Sequence, residues 1–485
     1  MITDPLTERR RVTPDRTALV DDETGTAWTY NKLSRSVAAV STTLPDIATG
    51  DRVALLLETS RPAVLAIHAC LGVGATVIPL NPTLGSDTII EQLAIANPQL
   101  VITASESDGL PTDRVETRIL QIDDPETQTT SEPTSPVAWG MSDPMVQLFT
   151  SGTTGEPKLV RLTTENLLAS AIGSAFRLGV TPADDWLVCL PIYHMGGLAP
   201  IIRSTLYGTS VTIHEGFDPD AIGESVANRS ITGISVVPTQ LHRLIEAEVA
   251  LDSLRFVLLG GAPASPALIA RCEDRGISVY PTYGLTETAS QVTTATPEEA
   301  TRFPGTVGRP LLGTTVTIVD GDGQPRPDGD EGEIVVSGPT VTPGYVNDPD
   351  TDVFGEQGLH TGDIGYLEDG RLWITGRASD VILTGGEQVF PREVGDAIRD
   401  HPAVDAVAVV GLDDPDWGER VAALVVAGGV SEASLESFVR DRLAGFKIPK
   451  TWAFTDRLPR TVSGTVDRAA VRDLLRGVNN PDDVA

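Results

Sequence analysis

Apolar residues in this chain fall into short runs, and the spacing of the runs changes along the sequence. Between residues 50 and 285, runs such as VALLLE and ATVIPL (75–80) each precede a stretch with helical spacing, near 61–72 and 87–96. The same alternation returns with GISVVPT and LRFVLLGG. Alternating strand and helix patterns predict a mainly parallel α/β architecture.

The pattern changes after residue 300, where the runs TTVTIVD, GEIVVSG and RLWITG are separated by Gly, Pro and Asp. This texture predicts a smaller, antiparallel β subdomain. The pattern changes again near residue 380, where predicted strands are mixed with helical patterns at 391–400 and 432–444. We therefore expect a domain boundary at Gly376–Asp380.

Length and composition indicate a large folded protein. The 485 residues are 40% apolar, which is enough for more than one domain. The stretch from Pro62 to Ser86 has no acidic or basic residue and is long enough to span a membrane. Because Gly72, Gly74 and Pro79 interrupt it, we interpret it as a buried helix followed by a buried strand.

Charge narrows the class of partners. The chain has 36 basic and 67 acidic residues, a net charge of −31, and only four of the basic residues are Lys. No basic stripe is present, so nucleic acid is not an expected partner, and insertion into or binding to an anionic membrane is disfavoured. A basic partner and adaptation to high salt could each explain the acidity. The even spread of acidic residues and the scarcity of Lys favour a halophile.

Cysteine usage predicts a cytoplasmic protein. Cys70, Cys189 and Cys272 are far apart, and neither a metal-binding spacing nor a disulfide framework is present. The N-terminal residues have no apolar core of a signal peptide. The sequence leaves the oligomeric state open, including a homo-oligomer.

The stretch FTSGTTGEPKLV at 149–160 has the composition of a phosphate-binding loop. Glycine lets backbone N–H groups approach an anion, hydroxyl groups donate hydrogen bonds, and Lys158 supplies a positive charge. An ordinary turn is the alternative for a single Gly-rich loop. A Walker loop opens directly into a helix, whereas the strand-like LVRLT follows Lys158, so we predict a loop between two strands.

Three later segments contain residues that could bind a ligand or take part in catalysis. His194 lies in the apolar setting LPIYHMGGLAP, and LLGGAPAS ends a predicted strand at Gly260 and Gly261, where backbone can approach a flat ligand. In YPTYGLTETAS, Glu287 is a suitable oxygen ligand for Mg²⁺, and Tyr283 has a ring face for stacking on a base.

Two more polar groups lie in the β-rich part of the chain. HTGDIG offers Asp363, a carboxylate able to bind two ribose hydroxyls, and GRASD places Arg377 at the predicted boundary. Each of these segments alone fits a structural role as well as a functional one. Their joint occurrence points to a nucleotide site.

In this order and at these separations, the segments resemble the adenylate-forming superfamily over about residues 15 to 475. The stretch from Trp186 to Gln291 is similar to the 2-succinylbenzoate–CoA ligase family of menaquinone biosynthesis. The resemblance implies an N-terminal AMP-binding domain at 1–376, made of two α/β subdomains plus a small β barrel. It also implies a hinge at 377–380 and a small mobile α+β lid domain at 381–485.

The resemblance implies an acid–thiol ligase that uses ATP, Mg²⁺ and coenzyme A. A carboxylate would attack the α-phosphorus of ATP, giving an acyl-adenylate and pyrophosphate. The small domain would then rotate, and the thiol of coenzyme A would displace AMP.

The resemblance also assigns roles to individual residues. Those expected at the phosphates are Thr150, Ser151, Gly152, Thr153, Thr154, Gly155, Lys158 and, at the α-phosphate, Thr286. Those expected at the rest of the nucleotide are Gly260, Gly261, Tyr283 and Gly284 near the adenine, Asp363 and Arg377 at the ribose, and Glu287 at the metal. Those expected at the other substrates are His194 at the acyl pocket, Gly385, Gly386 and Glu387 at the thiol tunnel, and Ser379 as the pivot.

The second, aryl carboxylate of 2-succinylbenzoate needs a partner of its own. Arginine binds carboxylates in a bidentate fork, and Arg203 and Arg243 lie in the segments expected to form the acyl site. We expect one of them to be the anchor. The alternative is that both are solvated or paired structurally.

The stretch LPRTVSGTVDR departs from the superfamily pattern P-R-T-x-S-G-K-x-x-R, because Thr465 occupies the Lys position. Losing one well-placed charged donor removes about 10²–10³ in rate. Another cation could substitute, adenylation could be slower with Mg²⁺ and Lys158 carrying the charge, or the chain could bind nucleotide without catalysis. The candidate cations are Arg460, Arg468, Lys447 and Lys450. Because the other motifs are intact, we favour an active enzyme.

Three other functions remain as alternatives. One is a CoA ligase for another aryl or medium-chain acid. A second is an adenylation domain that loads a carrier protein, which is disfavoured because no carrier module follows residue 476. A third is a non-catalytic nucleotide-binding protein, which only Thr465 supports.

Overall fold

The computed structural model describes residues 1–44, 46–104, 110, 115, 117–122, 137–151, 157–460 and 466–478. Contacts divide the chain into two compact units. The first unit contains Met1–Val316 and Val336–Leu359, and the second contains Thr317–Val335 and His360–Ala485. The predicted hinge at 377–380 lies between two strands of the second unit, and the domain boundary there remains a prediction.

Helices and strands alternate through the first unit. Its helices are α1 (Pro5–Val12), α2 (Tyr30–Thr42), α3 (Arg61–Val73), α4 (Ser86–Ala96), α5 (Thr164–Leu178), α6 (Met195–Tyr207), α7 (Pro219–Asn228), α8 (Pro238–Glu246), α9 (Pro266–Asp274) and α10 (Pro297–Arg302). Its first strands are β1 (Ile2–Thr3), β2 (Thr17–Asp21), β3 (Ala27–Thr29), β4 (Arg52–Leu56), β5 (Thr76–Leu80), β6 (Leu100–Ala104), β7 (Arg118–Ile122), β8 (Ala138–Trp139) and β9 (Pro144–Ser151). The strands that follow are β10 (Pro157–Thr163), β11 (Asp185–Val188), β12 (Ser210–Ile213), β13 (Gly233–Val236), β14 (Phe256–Leu259), β15 (Val279–Leu285), β16 (Ser290–Thr294) and β17 (Arg309–Pro310).

Two large sheets form the core of this unit. One has the order β10-β9-β5-β4-β6-β7, and the other has the order β17-β16-β15-β14-β13-β11-β12-β2-β3. The strands at the centre of each sheet pair in parallel, as β4 does with β5 and β6, and as β14 does with β13 and β15. The predicted α/β fold class is confirmed. In sheets of this kind, ligands bind beyond the carboxyl ends of the strands.

The uncharged stretch from Pro62 to Ser86 forms a buried helix and a buried strand, as predicted. α3 begins after Ser60, whose hydroxyl accepts a hydrogen bond from the backbone of Ala63, and ends at Gly74 with φ 84°. All five residues of β5 are buried. Within the described part of the chain, no helix is both long and apolar enough to cross a bilayer.

The remaining elements are richer in antiparallel pairs. They are β18 (Thr315–Val319), β19 (Gly332–Ser337), β20 (Phe354–Gly355), β21 (Gly358–Glu368), β22 (Arg371–Arg377), β23 (Ile382–Thr384), β24 (Glu387–Val389), α11 (Pro391–Arg399), β25 (Val404–Asp414), β26 (Gly418–Ala427), α12 (Glu432–Arg440), β27 (Thr451–Phe454) and α13 (Arg468–Val478). One sheet has the order β18-β19-β21-β20 with β22 beside β21, and another has the order β24-β23-β26-β25 with β27 beside β26. The helical patterns at 391–400 and 432–444 correspond to α11 and α12, and the last helix, α13, was not predicted.

Candidate active site

The predicted phosphate loop joins β9 and β10, which pair antiparallel with Thr150 opposite Lys158. α5 begins only after β10 has ended, where Thr163 and Asn166 form a capping box. The loop therefore links two strands, as predicted, and does not open into a helix. The predicted ligands Gly152, Thr153, Thr154 and Gly155 lie outside the described residues, as does the side chain of Ser151.

The ammonium group of Lys158 lies between an acidic and an aromatic side chain. Its Nζ is 3.0 Å from Oδ2 of Asp348 and 4.8 Å from the centre of the Tyr345 ring. The Lys158 side chain is 19% exposed, so the pair is partly shielded from water. Lys158 is therefore held at the base of the loop by an anion that a phosphate group could replace.

The metal-ligand candidate Glu287 lies in a sharp reversal between β15 and β16. A short 3₁₀ turn covers Thr286–Thr288, and two residues without the freedom of glycine follow it with positive φ, Ala289 at 52° and Ser290 at 106°. Such backbone costs on the order of 1–3 kcal/mol and is concentrated at functional sites. The strained backbone of Ala289 and Ser290 therefore supports a functional role for the turn that carries Glu287.

Two hydrogen bonds hold Glu287. Its Oε1 accepts one from the hydroxyl of Tyr345 at 2.9 Å, and its backbone oxygen accepts one from the N–H of Thr342 at 2.8 Å. Because the ring of Tyr345 also lies against Lys158, the predicted phosphate ligand and the predicted metal ligand share one neighbour. Sequence reasoning missed both Tyr345 and Asp348, since no pattern of residue types links them to the loop.

The residues around Glu287 fit a magnesium ion that binds together with a nucleotide. Magnesium at such sites takes one or two carboxylates, phosphate oxygens and several waters. Glu287 supplies one carboxylate. Within the residues that the structure describes, no group of three or more His, Cys, Asp or Glu could hold a metal on its own. The site therefore suits an ion whose remaining ligands come from phosphate and water.

The glycines predicted near the adenine are required by close packing. A Cβ at Gly260 would lie 2.8 Å from Cγ2 of Thr282, and a Cβ at Gly284 would lie 1.6 Å from a backbone oxygen of β16. Gly261 has φ 76°, a conformation that favours glycine. Because β14 and β15 are parallel neighbours, the structure brings Gly260 and Gly261 to the strand that carries Tyr283.

His194 lies directly before α6, and its backbone oxygen accepts a hydrogen bond from the N–H of Leu198. The imidazole packs edge-on against Tyr193, with ring centroids 4.9 Å apart. Burial lowers the pKa of His194 below its usual value. The imidazole is therefore neutral at pH 7, which suits a group beside an acyl chain.

The two arginine candidates have different surroundings. Arg203 is only 8% exposed and donates hydrogen bonds to three neutral oxygens, on Ser170 at 2.8 Å, Ser174 at 3.2 Å and Gln291 at 2.9 Å. Arg243 is exposed on α8 and stacks over Phe217. A buried guanidinium held by neutral groups is an unusual arrangement, since buried charges are normally paired. Of the two candidates, Arg203 has the surroundings of an anion site.

Asp363 and Arg377 face each other in register across β21 and β22. Nε of Arg377 lies 2.7 Å from Oδ1 of Asp363, and Asp363 is only 7% exposed. The structure thus brings the two predicted ribose ligands together as one ion pair in the second unit.

The predicted thiol-tunnel residues form the turn between β23 and β24. Gly385 and Gly386 have φ 60° and 85°, and Glu387 begins β24. The N–H of Gly385 donates to the backbone oxygen of Trp417 at 2.8 Å. The Trp417 ring leaves no room for a side chain there, since a Cβ at Gly385 would lie 2.5 Å from it. The tryptophan is 54% exposed and was not predicted.

Among the candidate replacements for the missing Lys, Lys447 and Arg468 are paired with carboxylates. Lys447 lies 2.6 Å from Glu393, and Arg468 lies 3.0 Å from Asp380 of the predicted hinge segment. Lys450 is exposed, and Arg460 pairs with Val466 in an isolated bridge. Thr465 lies outside the described residues.

Comparison with known proteins identifies the class. The AMP-binding enzyme family matches residues 6–346, and the AMP-binding enzyme C-terminal domain matches residues 393–465. This chain belongs to the AMP-binding enzyme family. The resemblance stated from the motifs is confirmed.

The most similar relatives share one activity, the ligation of 2-succinylbenzoate to coenzyme A. The 2-succinylbenzoate–CoA ligase of Bacillus velezensis is 37% identical over 484 residues, covering 97% of this chain and 98% of the relative. The o-succinylbenzoate CoA synthetase of Bacillus subtilis, solved with its acyl-adenylate intermediate, has a TM-score of 0.90 and 34% identity, covering 97% of this chain and 98% of its own. The same enzyme solved with ATP and a magnesium ion has a TM-score of 0.89 and 33% identity, covering 98% of this chain and 99% of its own.

Proposed function

We propose that this protein is an ATP-dependent 2-succinylbenzoate–CoA ligase. It would form 2-succinylbenzoyl-CoA through an acyl-adenylate, releasing pyrophosphate and AMP, as a step of menaquinone biosynthesis. The proposal rests on one observation: the side chains of Lys158 and Glu287 both contact Tyr345. The chain also matches such ligases over nearly its whole length.

In the first half-reaction, a carboxylate oxygen of the acid forms a bond to the α-phosphorus of ATP. The bond from that phosphorus to the oxygen of pyrophosphate breaks, so negative charge moves onto the leaving group. Lys158 would neutralise that charge, and Thr286 would donate a hydrogen bond to the α-phosphate. A bound magnesium ion, held by Glu287, would supply further charge neutralisation on the phosphates.

In the second half-reaction, the sulfur of coenzyme A bonds to the acyl carbon while the bond from that carbon to AMP breaks. The small domain would first turn about Ser379 and bring Gly385, Gly386 and Glu387 to the thiol. At Gly386 no described atom lies within 4 Å of where a Cβ would be, which leaves room for a narrow chain, whereas the Trp417 ring fills that space at Gly385. His194, which is neutral because it is buried, would rearrange between the two steps without adding charge near the acyl group.

We propose that Arg203 binds the aryl carboxylate of the substrate. Its guanidinium already lies in the interior, so a carboxylate that reached it would be bound with little competition from water. Arg243 is exposed and would bind the same group less tightly. The three neutral partners of Arg203 keep the guanidinium oriented in the absence of substrate.

The missing Lys calls for a substitute during adenylation. We propose Arg460, which lies five residues before Thr465 in the sequence. A slower adenylation in which Mg²⁺ and Lys158 carry the charge stabilisation is the alternative.

A single incubation tests the proposal. The protein is mixed with 2-succinylbenzoate, MgATP and coenzyme A in molar salt, and AMP and the thioester are followed. We expect both products in equal amounts. Thioester formation only with another aryl or medium-chain acid would favour the alternative ligase. Absence of pyrophosphate release with every acid, together with retained ATP binding, would favour the non-catalytic function that Thr465 suggests.

We place this reaction in the cytoplasm, where ATP and coenzyme A are available. All three cysteines are free and buried. Burial raises the pKa of the Cys70 and Cys189 thiols to about 12, so they stay protonated and unreactive. A chain without disulfides among its cysteines supports a reducing compartment.

A further inference from the structure

One tyrosine touches both charged groups of the proposed nucleotide site. The Tyr345 hydroxyl donates to Oε1 of Glu287 at 2.9 Å, and Nζ of Lys158 lies 4.8 Å from the centre of its ring. Tyr345 itself is 7% exposed and packs against Phe354, with ring centroids 5.6 Å apart. A buried ring with neighbours on several sides has little freedom to move.

The backbone around Tyr345 is also fixed, because residues 342–347 run beside β10. The N–H of Val346 donates to Leu159 at 2.8 Å, and the N–H of Arg161 donates to Gly344 at 3.2 Å. The side chain of Asn347 accepts from the N–H of Leu159 and donates to the backbone oxygen of Pro157, both at 2.9 Å. The segment is thus fixed against the strand that carries Lys158, and Tyr345 forms an isolated bridge with Val160.

We propose that Tyr345 is a positioning residue that sets the separation between Lys158 and Glu287 and so aligns the metal ligand with the triphosphate. The inference rests on the proposed nucleotide site and adds to it a residue that the motifs did not assign. The hydroxyl orients the carboxylate, as hydrogen-bonded partners of metal ligands generally do. The ring face attracts the ammonium through its negative quadrupole.

The two halves of the side chain can be tested separately. Tyr345→Phe removes the hydroxyl and keeps the ring, so it frees Glu287 alone. Tyr345→Leu removes the ring as well, so Lys158 also loses its aromatic contact while its ion pair with Asp348 remains. Tyr366→Phe is the matched control, because Tyr366 stacks on Trp373 in the other compact unit.

Binding is measured without turnover, using an ATP analogue with a methylene bridge between the α- and β-phosphorus. Calorimetry gives its Kd without metal, and paramagnetic resonance gives the Kd of Mn²⁺ in its presence. We expect Tyr345→Phe to weaken Mn²⁺ binding about tenfold and to leave metal-free binding of the analogue unchanged. Tyr345→Leu should weaken both, and Tyr366→Phe neither.

Each outcome decides a different point. Unchanged Mn²⁺ binding by Tyr345→Phe, with wild type binding both probes, overturns the positioning role and leaves the proposed function intact. Equal weakening of both probes with a lowered Tm in Tyr345→Phe also overturns it, because a general packing defect has that result. If wild type binds neither probe, the proposed nucleotide site is wrong and this inference is overturned with it.

Discussion

Replacing Arg203 with alanine should selectively weaken recognition of the second carboxylate of 2-succinylbenzoate. A hydrogen bond to a charged group contributes about 1.5–3 kcal/mol when its partner is desolvated. Since about 1.4 kcal/mol corresponds to a factor of ten, KM should rise about 10- to 150-fold. The low exposure of Arg203, 8%, places the expected value toward the upper end of that range.

The assay compares two acids that differ only in that carboxylate. Wild type should prefer 2-succinylbenzoate over 4-oxo-4-phenylbutanoate, which lacks the aryl carboxyl group. Arg203→Ala should bring the two KM values close together, and Arg203→Lys should restore part of the preference because it keeps a charge. Arg243→Ala is the matched control and should change either KM by less than about threefold, as expected for an exposed charge.

The reasoning has a clear point of failure. If Arg203→Ala keeps the wild-type preference between the two acids, Arg203 does not read the carboxylate. An equal rise in KM for both acids, with a lowered Tm, would mean that the three hydrogen bonds to Ser170, Ser174 and Gln291 serve only packing. An unchanged KM for both arginine variants would remove either residue as the anchor.

Four further measurements test other parts of the site and the fold. Thr465→Lys should raise the rate of pyrophosphate exchange; no change there, alongside a large loss in Arg460→Ala, would point to a relocated cation. Asp348→Asn removes the carboxylate that competes with the triphosphate for Lys158, so the Kd of ATP should fall about threefold by calorimetry, and a rise would contradict that competition. Burial lowers the pKa of His68 to about 4, so between pH 6.5 and 4 the unfolded chain binds a proton that the folded chain does not. The free energy of unfolding should therefore decrease by at most about 1.4 kcal/mol for each unit by which the pH is lowered in this range. Urea unfolding at pH 7 and pH 5 checks this, and an equally steep loss in His68→Gln would assign it to other groups. Finally, a net charge of −31 predicts a higher Tm at 1 M than at 0.1 M salt, because the screening length falls from about 10 Å to about 3 Å; a lower Tm would argue against adaptation to salt.

The parts of the fold that follow a local period were predictable from the sequence. The strand–helix alternation before residue 285 and the buried helix and strand in Pro62–Ser86 have apolar spacing that leaves few alternatives. α13 was missed because its buried residues, Val471 and Leu475, are embedded in a polar stretch rich in Arg and Asp. Only tertiary packing shows which side of that stretch is covered.

The candidate site was predictable only where a residue type is itself informative. Glycine, lysine and acidic residues in short motifs indicated Lys158 and Glu287, but the sequence gives no reason to connect them with Tyr345, which lies 58 residues from Glu287. Likewise, Arg203 and Arg243 look equivalent along the chain. Their burial differs because α6 lies inside the unit and α8 presents Arg243 to solvent, and that difference depends on the whole fold.

Because residues 342–347 are aligned with β10, the number of residues in this segment should matter more for the site than the identity of most of them. Tyr345 is held in register with Val160, so inserting or deleting one residue would shift Tyr345 away from Lys158 and Glu287. Homologous chains should therefore accept many replacements here and few gaps. In a library of random variants, survivors with single-codon insertions should be far rarer between Thr342 and Asn347 than in the Gly-rich turn of residues 321–323.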